Sequence, residues 1–343
     1  MSECPDHPAA GRSVVEIARS PVYFKQAKAL SRTSDAMGVF TLAWLWGVMA
    51  LAAAAAIYSD SWYVYPIAMV AIASRQHALG VLMHDASHYK LLSNRTLNDL
   101  VGNLLCALPV GMTVARYRAD HSRHHQAPNT DRDPYFAIFQ KNPRSWQWPK
   151  PQREAYGVLA RDLTGLHVPD LMRETANWGP WQNHFSQSLR PPPLTLSERA
   201  TVYSFYGVVL ALVAMTGAWG NFLLLWVVPF IMIAPLLIRI RSLGEHFGLP
   251  GEGNEATRHI DGTWYERWAF SPLNSNHHLT HHLFPSVPWF NLPKMTAVLF
   301  ADPEFSRAAH RSATYIGMMR DELILEGIDA VRALRTQAEP RSA

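Results

Sequence analysis

The sequence predicts an all-α integral membrane protein, with four transmembrane helices in two hairpins and a cytosolic helical cap that carries a histidine-rich metal site. Three observations predict it. Two pairs of long apolar stretches are each joined by a short link, a long polar region separates the pairs, and histidines at helical spacing follow the ends of the predicted spans. At 343 residues the chain is long enough for two soluble domains, but the apolar stretches favour one membrane-embedded unit.

Residues 1–36 form an N-terminal segment in which Arg12, Arg19, Lys25, Lys28 and Arg32 precede the first apolar run. Its opening residues lack the basic start, apolar core and small-residue cleavage site of a secretory signal, so the segment is expected to stay cytosolic. Met37 to Tyr58 then contains no charged side chain. At about 1.5 Å per residue it is long enough to cross a hydrocarbon core of about 30 Å. Ser59, Asp60 and Ser61 link it to a second span, Trp62 to Leu82, whose interior holds Arg75, Gln76 and His77. Polar groups at that depth are costly, so they are expected to face a protein interior or a watery cavity.

Leu97 to Val114 is a weaker apolar segment broken by Asn98, Asp99, Asn103 and Pro109, and it reads as an interfacial or re-entrant helix. The wet region that follows, Gln126 to Arg199, carries Trp146, Trp148, Trp178 and Trp181, with Pro191 to Pro193 near its end. Those tryptophans either anchor helices at the headgroups or pack inside the cap. Tyr203 to Trp219 and Phe222 to Ile240 make the second hairpin, joined by Gly220 and Asn221. The membrane domain thus runs over residues 37–300, with cap segments 115–200 and 241–300. Residues 301–343 read as a helical tail with Ile316, Met319, Leu323, Leu325 and Ile328 at apolar positions and a disordered end from Ala338 to Ala343.

Neither hairpin tip holds lysine or arginine, whereas the N-terminal segment, Arg95, the middle region, Arg239 and Arg241 lie on the other side. The positive-inside rule therefore predicts that both termini and the histidines are cytosolic.

From Asn274 to His282 the chain holds His277, His278, His281 and His282. His278, His281 and His282 stand at i, i+3 and i+4, within about a 100° arc of one helix face. His121, His124 and His125 repeat that pattern, and His84 and His88 stand at i and i+4. Neutral imidazole suits iron, zinc, copper or nickel, and these eight rings exceed what one ion takes, so two metal ions are expected. His246, just past the fourth span, is a ninth candidate ligand. His77, Asp85, Asp120, Asn276 and His277 are candidates for supporting roles around the site. His7, His167, His184, His259 and His310 have no partner at ligand spacing. Cys4 and Cys106 are the only cysteines and form no C-x-x-C pair, which excludes a disulfide framework and a cysteine-ligated cluster within the chain.

His84-Asp-Ala-Ser-His88, His121-Ser-Arg-His-His125 and His278-Leu-Thr-His-His282, followed by Leu283-Phe-Pro-Ser-Val-Pro288, resemble the three histidine boxes and trailing segment of the membrane fatty acid desaturases. The resemblance runs from about Met37 to Phe300. It implies a non-haem di-iron centre held by the eight box histidines with His246 as the extra ligand, dioxygen as co-substrate, and a membrane lipid or lipid-like substrate. Thr280 stands where many members carry an acidic residue. The three residues between the histidines of the first box tilt the resemblance toward lipid-linked acyl desaturases and carotenoid-modifying relatives. No cytochrome b5-like extension is recognisable, so the resemblance implies a separate electron donor, a ferredoxin or similar with its reductase.

The function expected is an O2-dependent desaturase of a fatty acyl lipid. A hydroxylase or oxygenase of a lipid, terpenoid or hydrocarbon on the same scaffold is the first alternative, because loss of a second hydrogen gives an alkene and oxygen rebound an alcohol. A metal-binding or metal-transport protein is the second; transport ligands are expected inside the spans, where only His77 lies. The net charge of +4 fits an anionic leaflet or an acidic donor. No motif supports nucleic-acid binding.

Overall fold

The computed structural model describes residues 12–59, 61–175, 179 and 194–326. Cys4, His7, Trp178, Trp181, His184, Pro191 to Pro193, Ile328 and Ala338 to Ala343 lie outside the described residues.

Four helices are long and apolar enough to cross a membrane: Asp35–Tyr58, Val64–Ser87, Leu196–Thr216 and Trp219–His246. The first starts at Ser34, whose hydroxyl accepts the Met37 N–H. It packs against the second through Leu42, Leu45 and Met49, which meet Ile72, Leu79 and Leu82 in one core. The second helix is the axis of the molecule, with 67% of its apolar window buried against 28% for the first. It does not stop at Leu82 as its hydropathy predicts but continues to Ser87, with His88 as its C-cap. The fourth helix likewise runs past Ile240 to His246. Both helices thus carry their histidines on their own last turns.

Arg75, Gln76 and His77 face protein, as polar groups at that depth should. Arg75 donates to Ser74 Oγ and to the Trp268 carbonyl at 2.8 Å, and Gln76 donates to the Trp226 carbonyl at 2.9 Å. Arg239 is buried and bidentate on Asp162, with its guanidinium 4.2 Å from the Trp146 ring centroid. Arg241 is mostly buried and paired with Glu245 at 2.6 Å, so neither arginine reaches the surface as a free charge. The sidedness expectation rests on the exposed Arg12, Arg19, Lys25, Lys28, Arg32 and Arg95.

The broken segment is a bent helix pair, Arg95–Val110 and Val114–Gln126, meeting at 86°. Gly111 makes the bend at φ 75°, a left-handed conformation that costs glycine little. Asn103 holds it by accepting the Val114 N–H at 2.9 Å. The turn swings the second box away from the apolar helix and toward the ends of the second and fourth helices.

The remaining elements form the cap. Trp146 and Trp148 are both buried there, donating to Glu174 Oε1 and the Ser145 carbonyl, so packing rather than headgroup anchoring explains them. The N-terminal helices Val14–Ala18 and Pro21–Leu30 bury Ile17, Tyr23 and Ala27 against Leu279, Phe284 and Met295 beside the third box. The tail is more integral than its sequence suggests. His310–Ser312 pairs in parallel with Arg258–Ile260, Ile324–Leu325 pairs with Lys150–Pro151, and Tyr315 and Leu323 join the core around Leu243.

Candidate metal centre

Each box is placed by a different element. His84 and His88 end the second helix, His121, His124 and His125 share the face of Val114–Gln126, and His278, His281 and His282 lie on the short helix His278–Leu283. His246 ends the fourth helix. These nine rings converge into two groups. His84, His88, His121, His125 and His281 form one, and His124, His246, His278 and His282 the other, with one ligand atom per residue lying within 4.8 Å of its partners. The second and third boxes each contribute to both groups, so the two sites are built as one unit.

The Nε2 atoms turn toward one another. His121 and His88 approach to 3.0 Å, His125 and His121 to 2.9 Å, His281 and His125 to 3.0 Å, and His278 and His246 to 2.9 Å. Nitrogens at about 2.0–2.1 Å from a shared metal, at right angles to each other, stand about 3 Å apart. For the His278–His246 contact the opposite ring nitrogens explain why it is not an ordinary hydrogen bond. In the four-histidine group His124 Nδ1 faces Asp133 Oδ2 at 2.8 Å, His246 Nδ1 faces the Ala256 carbonyl at 3.0 Å, His278 Nδ1 faces Glu245 Oε1 at 3.2 Å, and His282 Nδ1 faces Asn254 Oδ1 at 3.1 Å. All four partners are acceptors, so each neutral ring carries its proton on Nδ1 and its lone pair on Nε2. Lone pairs facing at 2.9 Å fit a cation between them. His84 Nε2 and His282 Nε2 are buried with no hydrogen-bond partner among the described residues, which fits the same donor set.

Electrostatics agree. Burial, reinforced by the neighbouring rings, holds the pKa values of His278, His281 and His282 well below the ordinary imidazole value, so they are neutral and able to ligate at pH 7. Asp133 is pushed up by burial, but bonds from His124 and from the Asn129 and Tyr135 backbone N–H groups outweigh this and keep it an anion.

Among the supporting candidates, Asp85 reaches His84 Nδ1 at 3.2 Å while accepting the Trp289 N–H at 3.1 Å. Asp120 is buried on the second-box helix, 3.9 Å from Arg123. Asn276, His277 and His77 bond elsewhere, to the Ile260 carbonyl, Thr296 Oγ1 and the Ala269 carbonyl. Asn276 and His277 precede the box helix and hold its start, whereas His77 lies two turns short of His84. Thr280 is buried against Thr296 Oγ1 at 2.7 Å and carries no charge toward the rings.

Asp133, Glu245, Asn254, Tyr135 and the Ala256 carbonyl were not singled out by the sequence. Asp133 had a signal, since an aspartate before Pro134 is a helix N-cap pattern. Glu245 had another as the neighbour of His246. Asn254 and Ala256 lie in the single 3-10 turn Gly253–Ala256, too short for a periodicity to mark them.

A profile of the fatty acid desaturase family matches residues 60–314. The chain belongs to the fatty acid desaturase family. It is a membrane oxidoreductase whose family implies a lipid substrate. It is 27% identical over 81% of its length to the dihydrorhizobitoxine desaturase of Bradyrhizobium elkanii, covering 79% of that protein. It is 24% identical to the sn-1 oleoyl-lipid 12-desaturase of Arthrospira platensis, over 79% of this chain and 81% of the other. A chloroplastic omega-6 fatty acid desaturase of Glycine max matches at 25% over 82% of this chain and 60% of its own.

Proposed function

We propose that the protein is an O2-dependent, non-haem di-iron desaturase that introduces a C=C bond into the hydrocarbon chain of a fatty acyl lipid. The nine histidines His84, His88, His121, His124, His125, His246, His278, His281 and His282 hold two iron ions. A separate ferredoxin-like donor with its reductase supplies electrons, and both termini and the metal site face the cytosol. The observation that carries this reading is the pair of Nε2 lone pairs of His246 and His278, which face each other at 2.9 Å while their Nδ1 atoms are engaged.

When bound, iron supplies the redox chemistry that activates dioxygen and removes hydrogen from an unactivated C–H bond. The chain supplies position and environment. Asp133, Glu245, Asn254 and the Ala256 carbonyl hold four rings in the ligating tautomer, and Asp85 does so for His84. Burial of His278, His281 and His282 keeps protons off the ligands, and the packed cap screens the site from bulk water.

A second reading keeps the reaction and changes the substrate, because the relative named for dihydrorhizobitoxine matches over 81% of this chain and 79% of its own length. Both readings are tested by supplying purified protein with ferredoxin, ferredoxin reductase, NADPH, O2 and bacterial phospholipid, then analysing the acyl chains by mass spectrometry. New alkenes that require O2 support acyl desaturation. Alcohols in their place assign hydroxylation, and unchanged acyl chains with O2 still consumed count against an acyl lipid.

A further inference from the structure

The cap helix Pro134–Lys141 begins against the second box. Asp133, its N-cap, faces His124 Nδ1 at 2.8 Å, and Tyr135, two residues on, brings its Oη to 3.2 Å from His121 Nδ1. His124 belongs to the four-histidine group and His121 to the five-histidine group, so one helix start reaches a ring in each. The Asp133 carboxylate fixes the spacing, since its other oxygen accepts the Tyr135 backbone N–H at 2.8 Å. Ring contacts hold the phenols in place. Tyr135 stacks on His124 with centroids 4.6 Å apart, and Tyr117, one turn before His121 on the second-box helix, stacks on His121 at 5.1 Å.

The two groups are not supported alike. All four rings of the four-histidine group have an acceptor facing Nδ1. In the five-histidine group Asp85 faces His84 and Tyr135 faces His121, while Nδ1 of His125 and Nδ1 of His281 are buried with no hydrogen-bond partner among the described residues. Tyr135 thus carries a large share of what orients that group. A hydroxyl can donate or accept, and the ring it meets decides which. His121 Nε2 lies 3.0 Å from His88 Nε2 and 2.9 Å from His125 Nε2, so a metal held among them takes its lone pair and leaves the ring proton on Nδ1. The phenol oxygen must then accept from Nδ1–H, and its own O–H turns to Tyr117, to which it is hydrogen-bonded.

We propose that Tyr135 is a positioning residue of the metal centre: its phenol oxygen accepts the Nδ1–H of His121 and holds that ring ready to ligate in the five-histidine group, as Asp133 does for His124 in the other. The inference rests on the two-metal reading proposed above. It gives the Tyr135 hydroxyl a task that its ring does not share, and it separates the two sites by the residue that tunes each.

The test titrates metal-free protein in detergent with Co2+ against a chromophoric chelator, which gives a dissociation constant for each site, the ligand-field bands telling the two ions apart. Tyr135→Phe keeps the stacking ring and is expected to weaken one site about tenfold, to leave the other within about twofold, and to leave the metal-free melting temperature unchanged. Asp133→Asn is expected to weaken the other site, so the double variant weakens both. Unchanged constants in Tyr135→Phe, or the same site struck by both single variants, overturns the proposal. If Tyr135→Phe lowers the metal-free melting temperature, Tyr117→Phe decides, because it leaves Tyr135 in place and removes only the partner of its O–H. A smaller loss at the site that Asp133→Asn spares is then expected, and no loss at either site overturns the proposal. Two Co2+ in the wild type with Tyr135→Phe unchanged strikes this inference alone, whereas fewer than two in the wild type strikes the two-metal reading and this inference with it.

Discussion

His124 Nδ1 lies 2.8 Å from Asp133 Oδ2, and the other oxygen of the same carboxylate accepts the Tyr135 N–H at 2.8 Å as the N-cap of helix Pro134–Lys141. One aspartate thus ties the orientation of a candidate ligand to the start of a cap helix. Asparagine caps helices as well as aspartate does but lacks the charge. Asp133→Asn should therefore leave the fold intact and weaken metal binding about 10- to 100-fold. Competitive titration with a chromophoric chelator reads this directly, and unchanged affinity would show that the contact does not tune the ligand.

Acid should destabilise the metal-free protein. His277 is lowered to about 3 by burial, with His259 and Arg267 adding to the effect, and His278, His281 and His282 are lowered well below the ordinary value, again chiefly by burial. Above about pH 6.5 these rings are neutral folded or unfolded, and stability is fully present. Below that value the unfolded chain takes up protons that the folded chain refuses, so stability falls progressively toward the folded pKa values. Melting temperature in detergent should be level from pH 8 to 7 and drop between about 6.5 and 5. A level profile through that lower interval would contradict the assignment of these rings as neutral in the fold.

The first spanning helix passes close to the chain at Leu91 and Leu92 through Gly38. A Cβ there would sit 2.3 Å from the Leu91 carbonyl oxygen, a backbone atom that cannot swing aside. Leu91 and Leu92 are themselves pinned by Asn98 Oδ1, which accepts both of their N–H groups at 3.2 Å. Gly38→Ala should cost about 1–3 kcal/mol through overpacking, read as a lower melting temperature at unchanged metal content. Gly47, whose added Cβ meets nothing within 4 Å, is the control expected to tolerate alanine.

Much of the site was legible because ligands on helices repeat at fixed intervals. His278, His281 and His282 had to share a face, and His84 and His88 had to meet on one side of a helix, whatever the tertiary arrangement. The helix ends were less legible. Hydropathy fades at Leu82 and Ile240 because the chain turns polar there, yet the backbone stays helical to Ser87 and His246, since a packed interior replaces lipid around those last turns. The partners of the rings were mostly silent. Asn254 and the Ala256 carbonyl reach His282 and His246 from the short 3-10 turn Gly253–Ala256, and a carbonyl has no residue identity to read. The division of one box between two groups, with His121 and His125 in one and His124 in the other, follows from how four helices converge and was not written in any single spacing.

The most direct test is the metal content of the detergent-purified protein, measured beside His125→Ala and His282→Ala, which each remove a ring from a different group. The nine-histidine di-iron assignment predicts two irons per chain in the wild type and loss of iron in both variants, with helical content preserved. Zinc alone in the wild type, or iron that survives both substitutions, would contradict it.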